Sequence, residues 1–326
     1  MEILSSTPLA TIQDLGRFDH YVDGVSRSGA MDGLALSLGN ALLGNERNAA
    51  ALEIPLLPFT LRFEEDLDIA VTGADCDAAL DGVGLPPDWA FSVKAGQVLT
   101  LTGMREGCRA YICVAGGFDV PLVLGSRSTQ MREAFGGHEG RMLKKGDRLK
   151  ALGGSVDLPH GGLGAAPAQS VLAFGDADHV AVRVLPGAEY DRFTAEAQRN
   201  IWEADWRVTP QSNRNGYRLQ GPALVMRDTS ELRSHGVVPG VIQVPMGGQP
   251  IIQLADAATM GGYPKIGTVI EADHWRLAQA RPGRSLRFVE VDFATARAAQ
   301  AELEDFIVEV GAMAARQRGA AREWQQ

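Results

Sequence analysis

The chain of 326 residues is 45% hydrophobic and 22% charged, a composition that supports a sizeable core and excludes wholesale disorder. Its length predicts two domains. The net charge of −9 argues against a general affinity for nucleic acid or an anionic membrane, so neither is an expected partner. With 38 glycines and only 6% aromatic residues, the chain is expected to contain many tight turns.

The N-terminus and the cysteines favour a cytoplasmic protein. Gln13, Asp14 and Arg17 interrupt the first segment, which lacks the basic start and apolar core of a signal peptide. The three cysteines form no C-x-x-C pair, which fits a reducing compartment better than a disulfide framework. The six histidines are scattered and no HExxH motif occurs, so no metal site is expected.

The pattern of the chain predicts a mainly β protein with a few helices. A helix with its apolar face on Met31, Leu34, Leu38 and Leu42 is expected to end at Gly44. Short apolar runs that stop at glycine-containing turns predict strands, as in barrels or sandwiches. The predicted strands are Leu67–Thr72, Gln97–Thr102, Ala110–Ala115, Val180–Leu185, Val237–Val244, Pro250–Leu254 and Leu286–Val291.

A segment rich in Gly, Ala and Pro divides the chain. We expect an N-terminal β-rich domain over residues 1–151, a linker over 152–178, and a C-terminal β-barrel domain over 179–326. Helices are expected after Thr194 and Asp273 and at the C-terminus. The last helix has its apolar stripe on Leu303, Phe306, Ile307 and Val310, which we expect to dock on the body; residues 316–326 are expected to fray.

One short sequence pattern occurs three times: a cationic residue, then glycine and a polar residue, precede an apolar strand residue. The three segments are Lys94–Leu99, Lys144–Leu149 and Arg281–Leu286. Glycine adopts the positive φ that turns leading into strands often need, so the pattern predicts turn chemistry and similar β units in both halves.

The common catalytic motifs are absent from the sequence. It contains no GxxxxGK[ST] phosphate loop, no strand–GxGxxG–helix unit and no GxSxG nucleophile elbow. It also lacks the Met-Lys-Met triplet of a biotin attachment site, so any biotin would have to be carried by a partner chain.

Polar clusters at turns remain as candidate sites. In the first half, hydroxyls and a guanidinium on the Gly125 turn are typical of an anion site. The alternative is that these arginines pair with Asp or Glu and fix loops. The candidate substrate-binding residues are Asp14, Arg17, Asp32, Ser126, Arg127, Ser128 and Arg132.

In the second half, Lys265 could neutralise an anion, Asp256 could act as a base, and Gln243 could bind an amide or carboxylate. These three are the candidate catalytic residues. The alternative is that Gln243 and Gln249 satisfy backbone groups of a barrel. The candidate substrate-binding residues are Arg214, Arg218, Gln249, Thr259 and Tyr263. We expect the LGSRST, Arg214/Arg218 and GGYPKI segments to form one cleft.

Ten short segments occur in this order along the chain: TIQDLGR, GAMD, TGAD, VAGGFDVP, LGSRST, FGGHEGR, LPGAEYDRF, GVVPGVIQVP, GQPI and GGYPKI. They run from Thr11 to Ile266 and cover most of the chain. In this order they resemble the biotin-dependent carboxyltransferase-like family, which includes the C subunit of 5-oxoprolinase, the urea amidolyase carboxyltransferase region, and an antagonist of a sporulation kinase inhibitor.

The resemblance implies cyclophilin-like β-barrel units and an enzyme that is active only within a hetero-oligomer. The leading hypothesis is a C-like component of an ATP-dependent 5-oxoprolinase, which opens 5-oxoproline to glutamate with a B-like partner chain and an A-like protein. One alternative is a carboxyltransferase component that moves a carboxyl group from carboxybiotin on another chain to urea or a similar amide. Another is a non-catalytic antagonist of a kinase-inhibitor-like partner.

The sequence departs from the usual pattern of this family at four positions. Asn215 stands where Met is common, His235 where Glu is usual, and Ala258 and Met260 replace Gln and Thr. If the last two positions contact the substrate, two hydrogen-bonding groups have been lost, which leaves the exact substrate open.

Overall fold

The computed structural model describes residues 1–165, 179–228 and 232–324. The chain divides into two compact units. The first unit comprises Met1–Arg17, Ser28–Ala168 and Glu304–Gln326, and the second comprises Phe18–Arg27 and Gln169–Leu303. Residues 166–178, within the predicted linker, lie outside the described residues, and the predicted boundaries at 151 and 179 stay predictions.

Strands dominate the described part of the chain. In order they are β1 (Glu2–Ser5), β2 (Thr11–Gln13), β3 (Ala51–Ile54), β4 (Phe59–Arg62), β5 (Leu67–Asp75), β6 (Ala78–Leu80), β7 (Val83–Gly84), β8 (Trp89–Val93), β9 (Val98–Leu101), β10 (Glu106–Val114), β11 (Leu163–Gly164), β12 (His179–Pro186), β13 (Trp206–Val208), β14 (Gly216–Gln220), β15 (His235–Gly236), β16 (Val241–Gln243), β17 (Ile251–Gln253), β18 (Met260–Gly261), β19 (Lys265–Val269) and β20 (Ser285–Glu290). The α-helices are α1 (Gly33–Leu43), α2 (Ala195–Glu203), α3 (His274–Gln279) and α4 (Phe293–Trp324), and Tyr190–Arg192 and Glu271–Asp273 form short 3₁₀ turns.

The first unit contains two sheets. A five-stranded sheet has the order β1-β4-β9-β6-β7, and a six-stranded sheet has the order β11-β8-β5-β10-β3-β2. Fully buried Ile3, Ile12, Leu61, Ile69 and Ile112 belong to one continuous hydrophobic core that draws on strands of both sheets. Burying this many apolar side chains is the main force that holds the two sheets together.

Helix α1 forms and ends where its sequence predicts. The Asp32 side chain caps the N-terminus by accepting from the Ala35 backbone N–H at 2.8 Å. At the C-terminus Gly44 has a φ of +69°, and a Cβ atom there would lie 2.5 Å from Nη2 of Arg318. The positive φ is the conformation that glycine adopts at a helix C-terminus without strain.

The C-terminal part of α4 packs in the first unit, as the apolar stripe predicts. Phe306, Ile307 and Val310 are buried, and the Arg318 guanidinium donates to the Leu42 carbonyl at the end of α1. Such a cation satisfies a carbonyl that the helix itself leaves unpaired. The helix continues to Trp324, and Arg318 and Arg322 both bind groups of this unit. The expected fraying of residues 316–326 stays a prediction.

The second unit is built around a closed barrel. Its seven strands follow the order β12-β19-β16-β17-β14-β13-β20, with β12 and β20 parallel and the other pairs antiparallel. The two short strands β15 and β18 pair separately as a ribbon. The prediction of a mainly β chain with a few helices and barrel architecture is confirmed.

The predicted caps of the second unit differ in what their side chains do. Thr194 accepts from the Ala197 N–H at 3.2 Å and caps α2 as expected. Asp273 occupies the N-cap position of α3 but makes no capping bond. Its carboxylate instead binds the guanidinium groups of Arg183 and Arg276, because a fully buried carboxylate gains more from two cations than from one N–H.

The three recurring turns have one geometry. Gly96, Gly146 and Gly283 have φ values of +91°, +90° and +93°. In each turn the residue after glycine donates its N–H to the carbonyl of the leading cation. Positive φ at the third residue of a hydrogen-bonded turn is the requirement that glycine meets in a type II turn, so the predicted turn chemistry is confirmed.

Among the described residues, no helix is both long enough and apolar enough to cross a membrane.

Candidate functional site

A buried lysine and a buried glutamine face each other on the barrel wall. Gln243 on β16 is the direct cross-strand partner of Lys265 on β19, so the two side chains share one face of the sheet. Lys265 is 7% exposed and Gln243 is 5% exposed. The barrel strands therefore hold two hydrogen-bond donors side by side in a largely dry setting.

The Lys265 ammonium donates to two carbonyl groups and lies near a histidine ring nitrogen. Its Nζ lies 3.3 Å from the carbonyl oxygens of Gly261 and Tyr263 and 3.5 Å from Nδ1 of His235. Burial lowers the pKa of Lys265, and the negative charge of Glu189 opposes that shift. A lysine whose pKa is lowered in this way can give up a proton more readily than one on the surface.

The Gln243 side-chain amide, unlike the Lys265 ammonium, has a hydrogen-bond donor left unpaired within the part of the chain that the structure describes. Its Nε2 is buried and has no hydrogen-bond partner among the described residues. A Cβ atom on Gly261 would lie 2.6 Å from this nitrogen, so glycine in the β15–β18 ribbon leaves the amide its room. We call Glu189, His235, Gln243, Gly261 and Lys265 the Lys265 niche.

The niche can stabilise a negative charge on a substrate oxygen. A buried unpartnered amide N–H and a buried ammonium are the donors that a developing oxyanion requires, and they act more strongly where water is excluded. Leaving a buried donor unpaired costs about 1–3 kcal/mol, so an incoming acceptor would recover that free energy. Within the described residues, no group of three or more His, Cys, Asp or Glu side chains is arranged to hold a metal ion.

Other predicted residues of the second unit have structural partners. Arg214 donates to both oxygens of Asp256, at 2.8 and 3.1 Å. Gln249 exchanges two hydrogen bonds with the backbone of Gly221, which matches the alternative interpretation of this residue. Arg218 is exposed, and its backbone N–H donates to Ser212 Oγ.

The remaining two predicted residues of this unit lie close to the ribbon. The Thr259 carbonyl accepts from the Val237 N–H at 2.9 Å. The Tyr263 carbonyl accepts a hydrogen bond from Lys265 Nζ, and Tyr263 is half-exposed.

In the first unit, the predicted anion site is organised around a carboxylate. Asp14 Oδ1 accepts from the hydroxyls of Ser126 and Ser128 at 2.6 and 2.5 Å and from the Gly16 N–H at 2.8 Å. Its Oδ2 accepts from the backbone N–H of Arg127 at 2.6 Å. The hydroxyl protons that were expected to meet a ligand are thus directed at Asp14. We call Asp14, Gly16, Ser126, Arg127 and Ser128 the Asp14 turn.

The arginines and Asp32 of the first unit also have partners. Arg17 is buried, donates to the carbonyls of Val123 and Ser128, and stacks 4.7 Å from the Phe135 ring centre. The Arg127 guanidinium donates to the Val120 carbonyl at 3.1 Å. Arg132 is exposed beside Glu133, and Asp32 caps α1. Roles of these residues in binding substrate, and the assembly of both halves into one cleft, stay predictions.

Comparison with known proteins places the chain in a family. Residues 23–290 match the carboxyltransferase domain, subdomain A and B. The chain belongs to this family. It is 44% identical over 292 residues to the C subunit of the Escherichia coli K12 5-oxoprolinase, covering 89% of this chain and 91% of that protein. Identity to the corresponding 5-oxoprolinase component of Haemophilus influenzae is 42% over 291 residues, again covering 89% and 91% of the two chains.

A solved structure of the carboxyltransferase family has the same fold. The Kluyveromyces lactis urea amidolyase matches 95% of this chain with a TM-score of 0.85 and 29% identity. This chain spans only 20% of the length of that enzyme. The suspected family resemblance is therefore confirmed.

Glu189 is a niche residue that was not among the predicted site residues of this carboxyltransferase-family chain. Its Oε2 accepts from the Lys265 backbone N–H at 2.9 Å. The sequence offered one indication, since Glu189 lies in the LPGAEYDRF segment just after a Pro-Gly turn. Two of the four residues that depart from the family's usual pattern lie at or beside the niche: His235 contacts Lys265, and Met260 is on the same ribbon. Of the other two, Asn215 closes a turn with Asn213, and Ala258 is exposed.

Proposed function

We propose that this chain is the C-like component of an ATP-dependent 5-oxoprolinase. The observation that carries the proposal is 44% identity to the C subunit of a 5-oxoprolinase over 89% of the chain. The name of that relative marks it as one component of a larger assembly. We infer a B-like partner chain, an A-like protein and a cytoplasmic location.

The Lys265 niche supplies groups that amide ring opening needs. When water adds to the carbonyl carbon of a cyclic amide and releases one proton to solvent, negative charge develops on the carbonyl oxygen, and the Gln243 amide and Lys265 ammonium are donors for that oxygen. As the carbon–nitrogen bond breaks, the leaving nitrogen takes up a proton. Lys265 can donate it because burial lowers its pKa. The sequence contains no phosphate loop, and we propose that another component of the complex binds ATP.

The test is turnover in the assembled complex. The chain is co-expressed with its A-like and B-like partners, and glutamate formed from 5-oxoproline is measured with and without ATP. We expect ATP-dependent glutamate, and a loss of about 100–1,000-fold in kcat for Lys265→Met, the usual effect of removing one oxyanion donor. Lys94→Met changes an exposed lysine of the first unit and serves as the control. No glutamate from the intact wild-type complex would reject the proposal.

The match to urea amidolyase supports a second candidate, a component of a carboxyltransferase. The fold of that enzyme's matching region superposes with a TM-score of 0.85. In this alternative a biotinylated partner delivers the carboxyl group to urea or a similar amide. Avidin added to the complex distinguishes the two, because it blocks turnover that depends on carboxybiotin and leaves turnover without biotin unchanged.

A further inference from the structure

Glu189 links the two sides of the Lys265 niche. One carboxylate oxygen accepts from the Lys265 backbone N–H at 2.9 Å, and the other lies 3.5 Å from His235 Nε2. The Glu189 side chain is only 12% exposed. A partly dehydrated carboxylate that accepts a backbone N–H restrains that partner more firmly than an exposed ion pair does.

The loop that carries Glu189 is fixed to the strand that carries Lys265. The Gly187 N–H donates to the Ile266 carbonyl at 2.9 Å. A Cβ atom at Gly187 would lie 2.2 Å from the Lys265 carbonyl oxygen, so only glycine permits this approach. The position of Glu189 is therefore set by backbone contacts of Gly187 with Lys265 and Ile266.

His235 depends on neighbours for its orientation. The residue lies on a two-residue strand, and its side chain is 43% exposed. Its Nδ1 lies 3.0 Å from the Arg233 carbonyl and 3.5 Å from Lys265 Nζ, while Nε2 faces Glu189. The carboxylate thus lies beside the ring nitrogen opposite the one that is near the lysine.

The charges around the ammonium come from few sources. Among the described residues, Glu189 and His235 are the titratable side chains in contact with Lys265, and β16 contributes the neutral Gln243. The β18 end of the ribbon and the following turn contribute the carbonyls of Gly261 and Tyr263. A change of charge at Glu189 is therefore expected to act directly on Lys265.

We propose that Glu189 is a positioning residue for Lys265, which holds the ammonium beside the Gln243 amide so that both donors can reach one substrate oxygen. This role deepens the proposed function and rests on it for its kinetic consequence. Its effect on Lys265 itself is independent of turnover.

The first arm of the test uses the chain without partners. Lysine is isotopically labelled, and the Cε signals are followed by NMR as pH rises; the chain has five lysines, and Lys265 is the only one after Lys150. The Lys265 signal is assigned with Lys265→Arg. In Glu189→Gln we expect it to titrate at lower pH than in wild type, because the negative charge that raises the pKa of Lys265 is gone. Glu196→Gln, at an exposed position of α2, is the control and leaves the signal unchanged.

The second arm measures turnover in the reconstituted complex. Glu189→Gln is expected to lower kcat about 10–100-fold, the size expected for a misplaced catalytic group, with KM within about twofold of wild type. An unchanged Lys265 titration in Glu189→Gln overturns the proposal, whether or not kcat falls, because a fall alone reflects only a structural role. If the wild-type complex makes no glutamate, the proposed function fails and the titration alone decides the role of Glu189.

Discussion

Two buried polar clusters, one in each unit, differ in how completely their hydrogen-bonding groups are paired. In the Asp14 turn, four N–H and O–H donors converge on one carboxylate at 2.5–2.8 Å. In the Lys265 niche, a buried amide nitrogen has no partner among the described residues, and the lysine has a lowered pKa. Both clusters lie in segments that resemble the family's motifs. The difference favours the hypothesis of a structural role for the first cluster and of ligand binding for the second.

The largest expected effect is on the stability of the first unit. Asp14→Ala leaves two buried hydroxyls and two backbone N–H groups without their acceptor, which should lower the free energy of unfolding by on the order of 4 kcal/mol. Chemical denaturation measures the change. Asp19→Ala, at an exposed position nearby in sequence, should change it by less than about 0.5 kcal/mol. Equal stability of Asp14→Ala and wild type would show that the Asp14 turn does not maintain the fold.

A methyl group placed in the Lys265 niche should separate activity from stability. In Gly261→Ala the new Cβ atom meets the end of the Gln243 side chain, which can rotate away, so the unfolding free energy should change by less than about 1 kcal/mol. The displaced amide should lower kcat of the complex by about tenfold or more. Gly247→Ala, with nothing within 4 Å of its Cβ atom, is the control. Full turnover in Gly261→Ala would show that the Gln243 amide takes no part in the reaction.

The smallest expected effect is a pH dependence of stability. Burial lowers the pKa of Lys265 below its ordinary value near 10.5. Between the lowered value and 10.5 the unfolded chain binds a proton that the folded chain has lost, so the free energy of unfolding rises with pH in that window. The stability of wild type relative to Lys265→Met should therefore increase toward pH 10.5 in parallel denaturation series. A difference that stays flat or declines would mean that the folded state does not depress this pKa.

Local features of the fold could be predicted because short segments determine them. The apolar spacing from Met31 to Leu42 and the Gly44 end specified α1, and Thr194 specified the start of α2. Asp273 shows the limit of such reasoning. Its position as a cap was predicted, but its carboxylate binds Arg183, which lies 90 residues away in the chain.

The site could be predicted only in part because its geometry depends on strand register. Gln243 and Lys265 were both candidates, yet only the pairing of β16 with β19 places them side by side. Glu189 was missed because it meets Lys265 across 76 residues of sequence. The hydroxyls on the Gly125 turn suggested an anion site, and no local pattern indicates that Asp14, 112 residues from Ser126, already accepts their protons.

The central claim is that the unsatisfied donor in the Lys265 niche serves the reaction and not the fold, and Gln243→Met tests it directly. Methionine keeps the volume and removes the buried unpaired N–H, whose burial costs about 1–3 kcal/mol. The account predicts a chain at least as stable as wild type toward denaturant, and a complex whose glutamate production from 5-oxoproline falls by about 100-fold. A Gln243→Met complex with wild-type turnover, or a chain that loses stability together with activity, would contradict it.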